Sequence, residues 1–152
     1  MCKNCVNPSP LNEVNPAQIE GSWHLLYSNK AQKTDQVAIS IGHNMAFFNL
    51  EFVENGRIVE RSVYAKTTKP GRFVNFLNGH QELMVLDWEP NKWLVLFRQQ
   101  CTCCMGVYKD VYILVADDEI AKDEKLMDRL FALIEVKCEI SRPEMLPIKN
   151  KD

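Results

Sequence analysis

Apolar and polar residues alternate along most of the chain, and short turn-forming segments separate the alternating stretches. In the first long stretch, after Gly21, the residues Trp23, Leu25 and Tyr27 share one face of a predicted half-buried strand. Asn55-Gly56 is the strongest local turn signal, because both residues tolerate the positive φ of a two-residue hairpin. The pattern predicts eight strands, at residues 22–29, 36–41, 45–54, 57–67, 72–77, 81–88, 92–100 and 106–116.

The short links between these strands determine how the predicted sheet is connected. A strand that follows its predecessor after a tight turn pairs with it in the antiparallel direction. A long up-and-down sheet removes its two exposed edges by closing on itself. Eight strands form a barrel that is filled by side chains or holds one small molecule. The sequence therefore predicts an all-β fold, an eight-stranded antiparallel up-and-down β-barrel over residues 21–116.

Residues 117–138 are predicted to contain one helix that covers the outside of the barrel. Both faces are apolar in the strand segments 83–86 and 93–97, so part of the outer surface needs a cover. We expect the helix to pack there; a partner-binding helix is the alternative. An arm at 1–20 and an extended tail at 139–152 complete a single domain. The apolar stripe of the helix consists of Leu126, Met127, Leu130, Phe131, Leu133, Ile134 and Cys138.

Composition and charge exclude several classes of partner. The chain has 152 residues, a hydrophobic fraction of 46% and a formal charge of −2. This charge disfavours a general binder of nucleic acids or anionic membranes. No apolar run approaches the roughly 20 residues of a membrane helix, so we expect no membrane span. The start has no apolar stretch typical of a signal peptide, so either the protein is cytosolic or a signal has been removed.

The cysteines favour the second alternative. There are six, an even and rather high number, which is typical of a secreted, disulfide-bonded protein. A zinc site is the other interpretation, since Cys2-x-x-Cys5 has the spacing of metal ligands. A second such pair is missing, so we expect disulfides and no metal. The predicted disulfide residues are Cys2, Cys5, Cys101, Cys103, Cys104 and Cys138.

Two short motifs, together with the strand order and the late helix, resemble the lipocalin family. Gly21-Ser22-Trp23 resembles the first motif of the family, in which the tryptophan closes the floor of the barrel. Asp87-Trp88 resembles the second motif, an aspartate–aromatic pair at the turn between the sixth and seventh strands. The arginine of the third motif is absent, and acidic residues follow the last strand instead. The resemblance implies a calyx-shaped barrel in which one of the first two cysteines pairs with Cys101, Cys103 or Cys104.

The resemblance also implies binding and transport of a small hydrophobic ligand, such as a fatty acid, retinoid or pigment. An apolar cavity with a few polar groups recovers the cost of removing such a ligand from water. Arg98 could contact a ligand carboxylate at the mouth of the barrel, although an arginine more often faces solvent. Any single aromatic residue could instead fill an ordinary core. The other candidate lining residues are Tyr27, Phe48, Leu50, Phe52, Tyr64, Phe73, Phe76, Trp93, Phe97, Tyr108 and Tyr112.

Other functions have weaker support in the sequence. His43 and His80 lie in or beside turns and could ligate a heme, as in some lipocalins, but turn histidines usually lie on the surface. We therefore expect no cofactor. No nucleophile triad, carboxylate pair or phosphate loop is present, so we expect no enzyme activity. The alternatives are a thiol-dependent lipocalin enzyme and a secreted protein-binding or immune-modulating lipocalin without a ligand. We expect a monomer or a weak homo-oligomer.

Overall fold

The computed structural model describes residues 15–42, 46–66, 71–75, 81–102 and 106–148, and at residues 16, 101, 102, 106 and 107 it describes only the backbone. The strands are β1 (Gly21–Ser28), β2 (Gln36–Gly42), β3 (Phe47–Glu54), β4 (Arg57–Lys66), β5 (Arg72–Asn75), β6 (Gln81–Glu89), β7 (Trp93–Thr102), β8 (Gly106–Val115) and β9 (Leu146–Pro147). The helices are α1 (Pro16–Ile19) and α2 (Glu124–Cys138), with 3-10 turns at Asp118–Lys122 and Arg142–Glu144.

Strands β1 to β8 form a closed antiparallel ring. Each strand pairs with the next along the chain, and β1 pairs with both β2 and β8. Trp23 lies opposite Val37 of β2, and Leu25 lies opposite Leu114 of β8. The ring confirms the predicted fold class, because the short connections leave each strand next to its predecessor.

The hairpin between β3 and β4 shows the local chemistry behind this topology. Asn55 and Gly56 have φ values of 50° and 75°, the left-handed conformation that a tight two-residue turn requires. The hairpin predicted at this dipeptide is confirmed. A second Asn-Gly pair, Asn78-Gly79, separates the fifth and sixth predicted strands and lies outside the described residues.

The C-terminal segment is more ordered than the extended tail that the sequence predicts. After α2, residues Leu146–Pro147 form β9 and pair with Tyr27 and Ser28 of β1. Ile148 N donates to Leu26 O at 3.0 Å, which continues this pairing. The first half of β1 pairs with β2 and its second half with β9, so the tail covers an edge that β2 leaves open.

Two apolar layers surround the wall of the ring. The inner layer contains Trp23, Leu50 and Leu96, which face the interior. The outer layer contains Val95 and Ile113, which lie between the sheet and α2. Helix α2 therefore packs on the outside of the ring, as predicted, and its position explains why β6 and β7 are apolar on both faces. No helix among the described residues is long and apolar enough to cross a membrane.

One predicted disulfide residue is corrected by the structure. Cys138 is a free cysteine that is fully buried in the outer layer, because the last turn of α2 points it at the barrel wall. Burial raises the pKa of its thiol from 9.0 to about 12. The expectation that Cys138 forms a disulfide is therefore wrong. The other cysteines of the predicted bridges and of the zinc alternative lie outside the described residues or have undescribed side chains: Cys2, Cys5, Cys101, Cys103 and Cys104.

Candidate functional site

One end of the ring is closed by apolar contacts. Trp23 is 4% exposed, and its Nε1 donates to Ile19 O at 2.7 Å. Ile19 is the last residue of the one-turn helix α1, and its side chain is fully buried in the inner layer. The indole therefore has its polar group satisfied while its apolar surface packs inside the ring. We call this end the floor.

The turn between β6 and β7 lies near the floor and is joined to α2 by one carboxylate. Asp87 Oδ2 accepts from Trp93 Nε1 at 3.1 Å and from Arg129 Nη2 at 3.0 Å. The Arg129 guanidinium carbon also lies 5.7 Å from the centroid of the Trp93 ring. Trp88 packs against the inner layer. Asp87 thus orients the turn relative to the helix. The strand and helix patterns of the sequence do not indicate its contact with Arg129.

Six of the predicted lining residues do face the interior. All six are at most 2% exposed. They pack against one another: the Phe48 and Phe73 rings are 5.1 Å apart, and the Phe52 and Tyr112 rings are 5.2 Å apart. These side chains form a packed apolar centre, which lies between the floor and the other end of the ring. They are Phe48, Leu50, Phe52, Tyr64, Phe73 and Tyr112.

Three predicted lining residues lie on the wrong side of the wall. Tyr27, Trp93 and Phe97 belong to the outer layer, and the Tyr27 ring meets the Phe131 ring of α2 edge-on at 5.0 Å. A register shift in β1 between Leu25 and Tyr27 changes which residues face inward. On β7 both faces are apolar, so alternation alone does not identify the inner one. Phe76 lies outside the described residues.

The end of the ring opposite the floor contains a cavity of about 260 Å³. We call it the mouth cavity. Its walls come from alternate positions of four strands and from one residue after β1, because residues two apart on a strand share a face. The lining residues are Lys30, Glu60, Ser62, Gln81, Arg98, Gln100, Tyr108 and Asp110. Two of them, Arg98 and Tyr108, belong to the predicted lining set.

Arg98 is the centre of the mouth cavity. Its side chain is 14% exposed, and Nε donates to Asp110 Oδ2 at 3.2 Å. Nη1 lies 2.8 Å from Glu60 Oε1 and 3.5 Å from the Tyr64 hydroxyl. Nη2 donates to the Tyr112 hydroxyl at 2.7 Å. The arginine thus faces the interior at the mouth, and it joins β4, β7 and β8.

These contacts set the protonation states at the mouth. Burial alone would lower the pKa of Arg98, but the Tyr112 and Tyr64 hydroxyls and Glu60 raise it above its ordinary value. Burial raises the pKa of Tyr112 and of Tyr64, and the positive charge of Arg98 offsets only part of this rise. At neutral pH the mouth therefore presents a permanent cation beside neutral phenols.

A second ion pair completes the site. Lys30 Nζ lies 2.7 Å from Asp110 Oδ1 and 5.5 Å from the centroid of the Tyr108 ring. The formal charges of the mouth cavity cancel, since Lys30 and Arg98 oppose Glu60 and Asp110. The sequence patterns did not indicate the three other charged residues of the site, Lys30, Glu60 and Asp110, or its polar residues Ser62, Gln81 and Gln100. The period-two spacing of Glu60 with Ser62 and of Asp110 with Tyr112 was the available signal, but the partners come from distant strands.

The described residues give no support for a metal or heme site. Among them there is no group of three or more His, Cys, Asp or Glu side chains that could hold a metal ion. His24 lies 3.9 Å from Asp118 near the floor, away from the mouth cavity. The two candidate histidines, His43 and His80, lie outside the described residues.

Comparison of the sequence with protein-family models and with curated proteins finds no match to either.

Proposed function

We propose that the protein binds a small molecule in the mouth cavity. The observation that carries this proposal is a concave site in which Arg98, mostly buried and permanently charged, converges with other inward-facing polar groups. Cavities with a few convergent polar groups are typical of ligand sites. The packed aromatic residues below Arg98 form the base of the site, and they keep the guanidinium in place through Tyr112 and Phe52.

The size and polarity of the mouth cavity favour a small, polar ligand. Its volume of about 260 Å³ lies below the roughly 300–1,000 Å³ of sites for drug-sized ligands. Glu60, Ser62 and Gln100 supply polar groups along its walls. The fatty acid, retinoid or pigment that the lipocalin resemblance implies would have to displace the packed aromatic centre. Transport of such an apolar ligand, membership of the family, secretion and the alternatives of protein binding or thiol catalysis remain predictions from the sequence.

A screen of small molecules tests the proposal. Saturation-transfer NMR with a library of compounds smaller than drug-sized identifies those that bind the full chain, and titration gives their affinities. Arg98→Met should weaken these compounds by about tenfold or more, because a charge-assisted hydrogen bond contributes roughly 1.5–3 kcal/mol. Tyr108→Ala should also weaken the binding of these compounds. Because Tyr108 is half-exposed in the cavity wall, this variant should keep the fold, so a loss of affinity would not come from unfolding.

Arg129→Met is the matched control. Arg129 also pairs with a carboxylate and lies over an aromatic ring, but it does so near the floor and outside the barrel. Binding should be unchanged in this variant. Equal affinities in Arg98→Met, Tyr108→Ala and Arg129→Met, or no compound that binds, would contradict the proposed function.

A further inference from the structure

The four charged residues of the mouth cavity form two groups that differ in burial. The side chains of Arg98 and Asp110 are each 14% exposed. They lie directly opposite each other on β7 and β8, and they form the fixed pair of the site. The side chains of Glu60 and Lys30 are 47% and 46% exposed. Each of them contributes only its charged end to the fixed pair, so water can solvate either side chain when it moves away.

Glu60 occupies an anion position on Arg98. Its Oε1 lies 2.8 Å from Arg98 Nη1. In the ring, β4 and β7 are separated by β5 and β6, so Glu60 reaches Arg98 across the opening and not from a neighbouring strand. A carboxylate is the group that a guanidinium recognises best, and here the chain supplies one from its own half-exposed side chain.

Lys30 occupies an ammonium position in the same way. Its Nζ lies 2.7 Å from Asp110 Oδ1 and 5.5 Å from the centroid of the Tyr108 ring. A carboxylate together with the face of an aromatic ring is a typical environment for an ammonium group. The mouth cavity therefore contains one site for a carboxylate and one for an ammonium, and each is occupied by the end of a half-exposed side chain.

We propose that the ligand of the mouth cavity is a small zwitterion that carries both an ammonium and a carboxylate group. Its carboxylate replaces Glu60 at Arg98, and its ammonium replaces Lys30 at Asp110 and Tyr108. This inference rests on the proposed function and names the class of ligand.

The exchange has a low electrostatic cost. Half-exposed ion pairs contribute little to stability, so Glu60 and Lys30 leave the fixed pair easily. A zwitterion leaves neither Arg98 nor Asp110 without its partner of opposite charge, which avoids the penalty of an unpaired buried charge. Gln81 donates to Gln100 at 3.2 Å on the adjoining wall, and these amides face the remainder of the ligand.

Isothermal titration calorimetry with a length series tests the zwitterion. The probes are the ω-amino carboxylic acids from glycine to 6-aminohexanoic acid, at neutral pH and constant ionic strength. For each length, the carboxylic acid without the amine and the amine without the carboxylate serve as half-probes. At least one amino acid should bind about tenfold tighter than both of its half-probes. If a half-probe binds as tightly, or if no member of the series binds, the zwitterion inference is wrong.

Two variants test the replacement of the chain's own side chains. Glu60→Gln and Lys30→Met each remove the charge of one competitor, so each should tighten binding of the best zwitterion about two- to fivefold, as expected for loss of a half-exposed ion pair. Glu51→Gln is the control, because Glu51 lies outside the mouth cavity and its Oε2 is 2.7 Å from Arg61 Nη2. It should leave the affinity unchanged. Weaker binding in Glu60→Gln would show that Glu60 contacts the ligand directly, which contradicts the replacement.

The two proposals fail in different ways. Suppose that uncharged compounds from the screen lose affinity in Tyr108→Ala while every zwitterion fails to bind. The mouth cavity is then a ligand site, and only the zwitterion inference is overturned. If no compound of either set depends on Arg98 or Tyr108, the proposed function is overturned as well.

Discussion

The floor and the mouth of the ring are built from the same strands but differ in chemistry. Along β7 the inward positions are Leu94 and Leu96 toward the floor, and Arg98 and Gln100 toward the mouth. The floor is closed by the buried indole of Trp23. Apolar burial stabilises one end of the barrel, whereas the other end retains charged groups that a ligand can contact. The difference predicts that folding depends mainly on the floor, whereas the proposed ligand binds at the mouth.

The largest effect on stability is expected at the floor. Trp23→Ala should lower the free energy of unfolding by about 3–5 kcal/mol, because it removes a large buried side chain and leaves a cavity. Tyr108→Ala at the mouth should lower it by less than about 1 kcal/mol, since this residue is 49% exposed. Urea denaturation measures both. Similar losses at the two ends would remove the contrast between them.

The fixed pair should be the exception at the mouth. Arg98→Met leaves the mostly buried Asp110 with only the half-exposed Lys30 and removes the donor to the Tyr112 hydroxyl, so it should cost about 3 kcal/mol. Arg129→Met should cost less than about 1 kcal/mol, because the Arg129 side chain is 51% exposed. Thermal and urea unfolding of the two variants test this ranking. Equal costs would mean that the burial of Arg98 has no energetic consequence.

Alkaline pH tests a buried group far from the charged mouth. Cys138 is such a group, because it lies in the outer layer. Its pKa is raised from 9.0 to about 12, so the folded state holds the proton more tightly than the unfolded state. This contribution is complete below pH 9 and is lost as the pH rises toward 12, so that at pH 10 the loss should be on the order of 1 kcal/mol.

Urea denaturation at pH 8 and at pH 10 measures that loss. Between these pH values, the free energy of unfolding of Cys138→Ala should decrease less than that of the unsubstituted protein, because the thiol is missing. This difference does not depend on the stability of the variant at pH 8. Tyr112 and Tyr64, in the packed apolar centre below Arg98, have raised pKa values too, and most of their contribution should be lost above pH 10. An unchanged difference between the two pH values in Cys138→Ala would contradict the assignment to this thiol.

The smallest effect on stability is expected at Glu60 and Lys30, the half-exposed charges that the proposed ligand replaces. Glu60→Gln should change the free energy of unfolding by less than about 1 kcal/mol, because its ion pair with Arg98 is half-exposed on the glutamate side. The variant should therefore change the affinity for the proposed ligand without changing the fold. A loss of several kcal/mol in urea denaturation would place Glu60 in the fixed part of the site.

Local patterns were sufficient to predict most of the fold. The alternation in the strands, the Asn55-Gly56 turn and the stripe of α2 each arise from neighbouring residues, and the structure confirms all three. Strand β9 was not predicted, because Leu146–Pro147 is too short to show a period and its partner β1 is distant in the sequence.

The candidate site could be predicted only in part. Arg98 and Tyr108 were identified from the seventh and eighth strands, but the contact from Glu60 to Arg98 exists only after the ring has closed. Tyr27 was misplaced by the register shift in β1, and Trp93 by a strand that is apolar on both faces. Which face is inward depends on α2, whose position no local pattern in β7 reveals.

The proposed function requires that the ligand binds at the mouth and not in the apolar interior. Amide and indole chemical shifts, recorded while the full chain is titrated with its tightest-binding small molecule, test this claim directly. Shifts concentrated at Arg98, Gln100, Tyr108 and Asp110, with the Trp23 indole unchanged, are the expected result. Large shifts at the Trp23 indole with none at Arg98 or Tyr108 would contradict it.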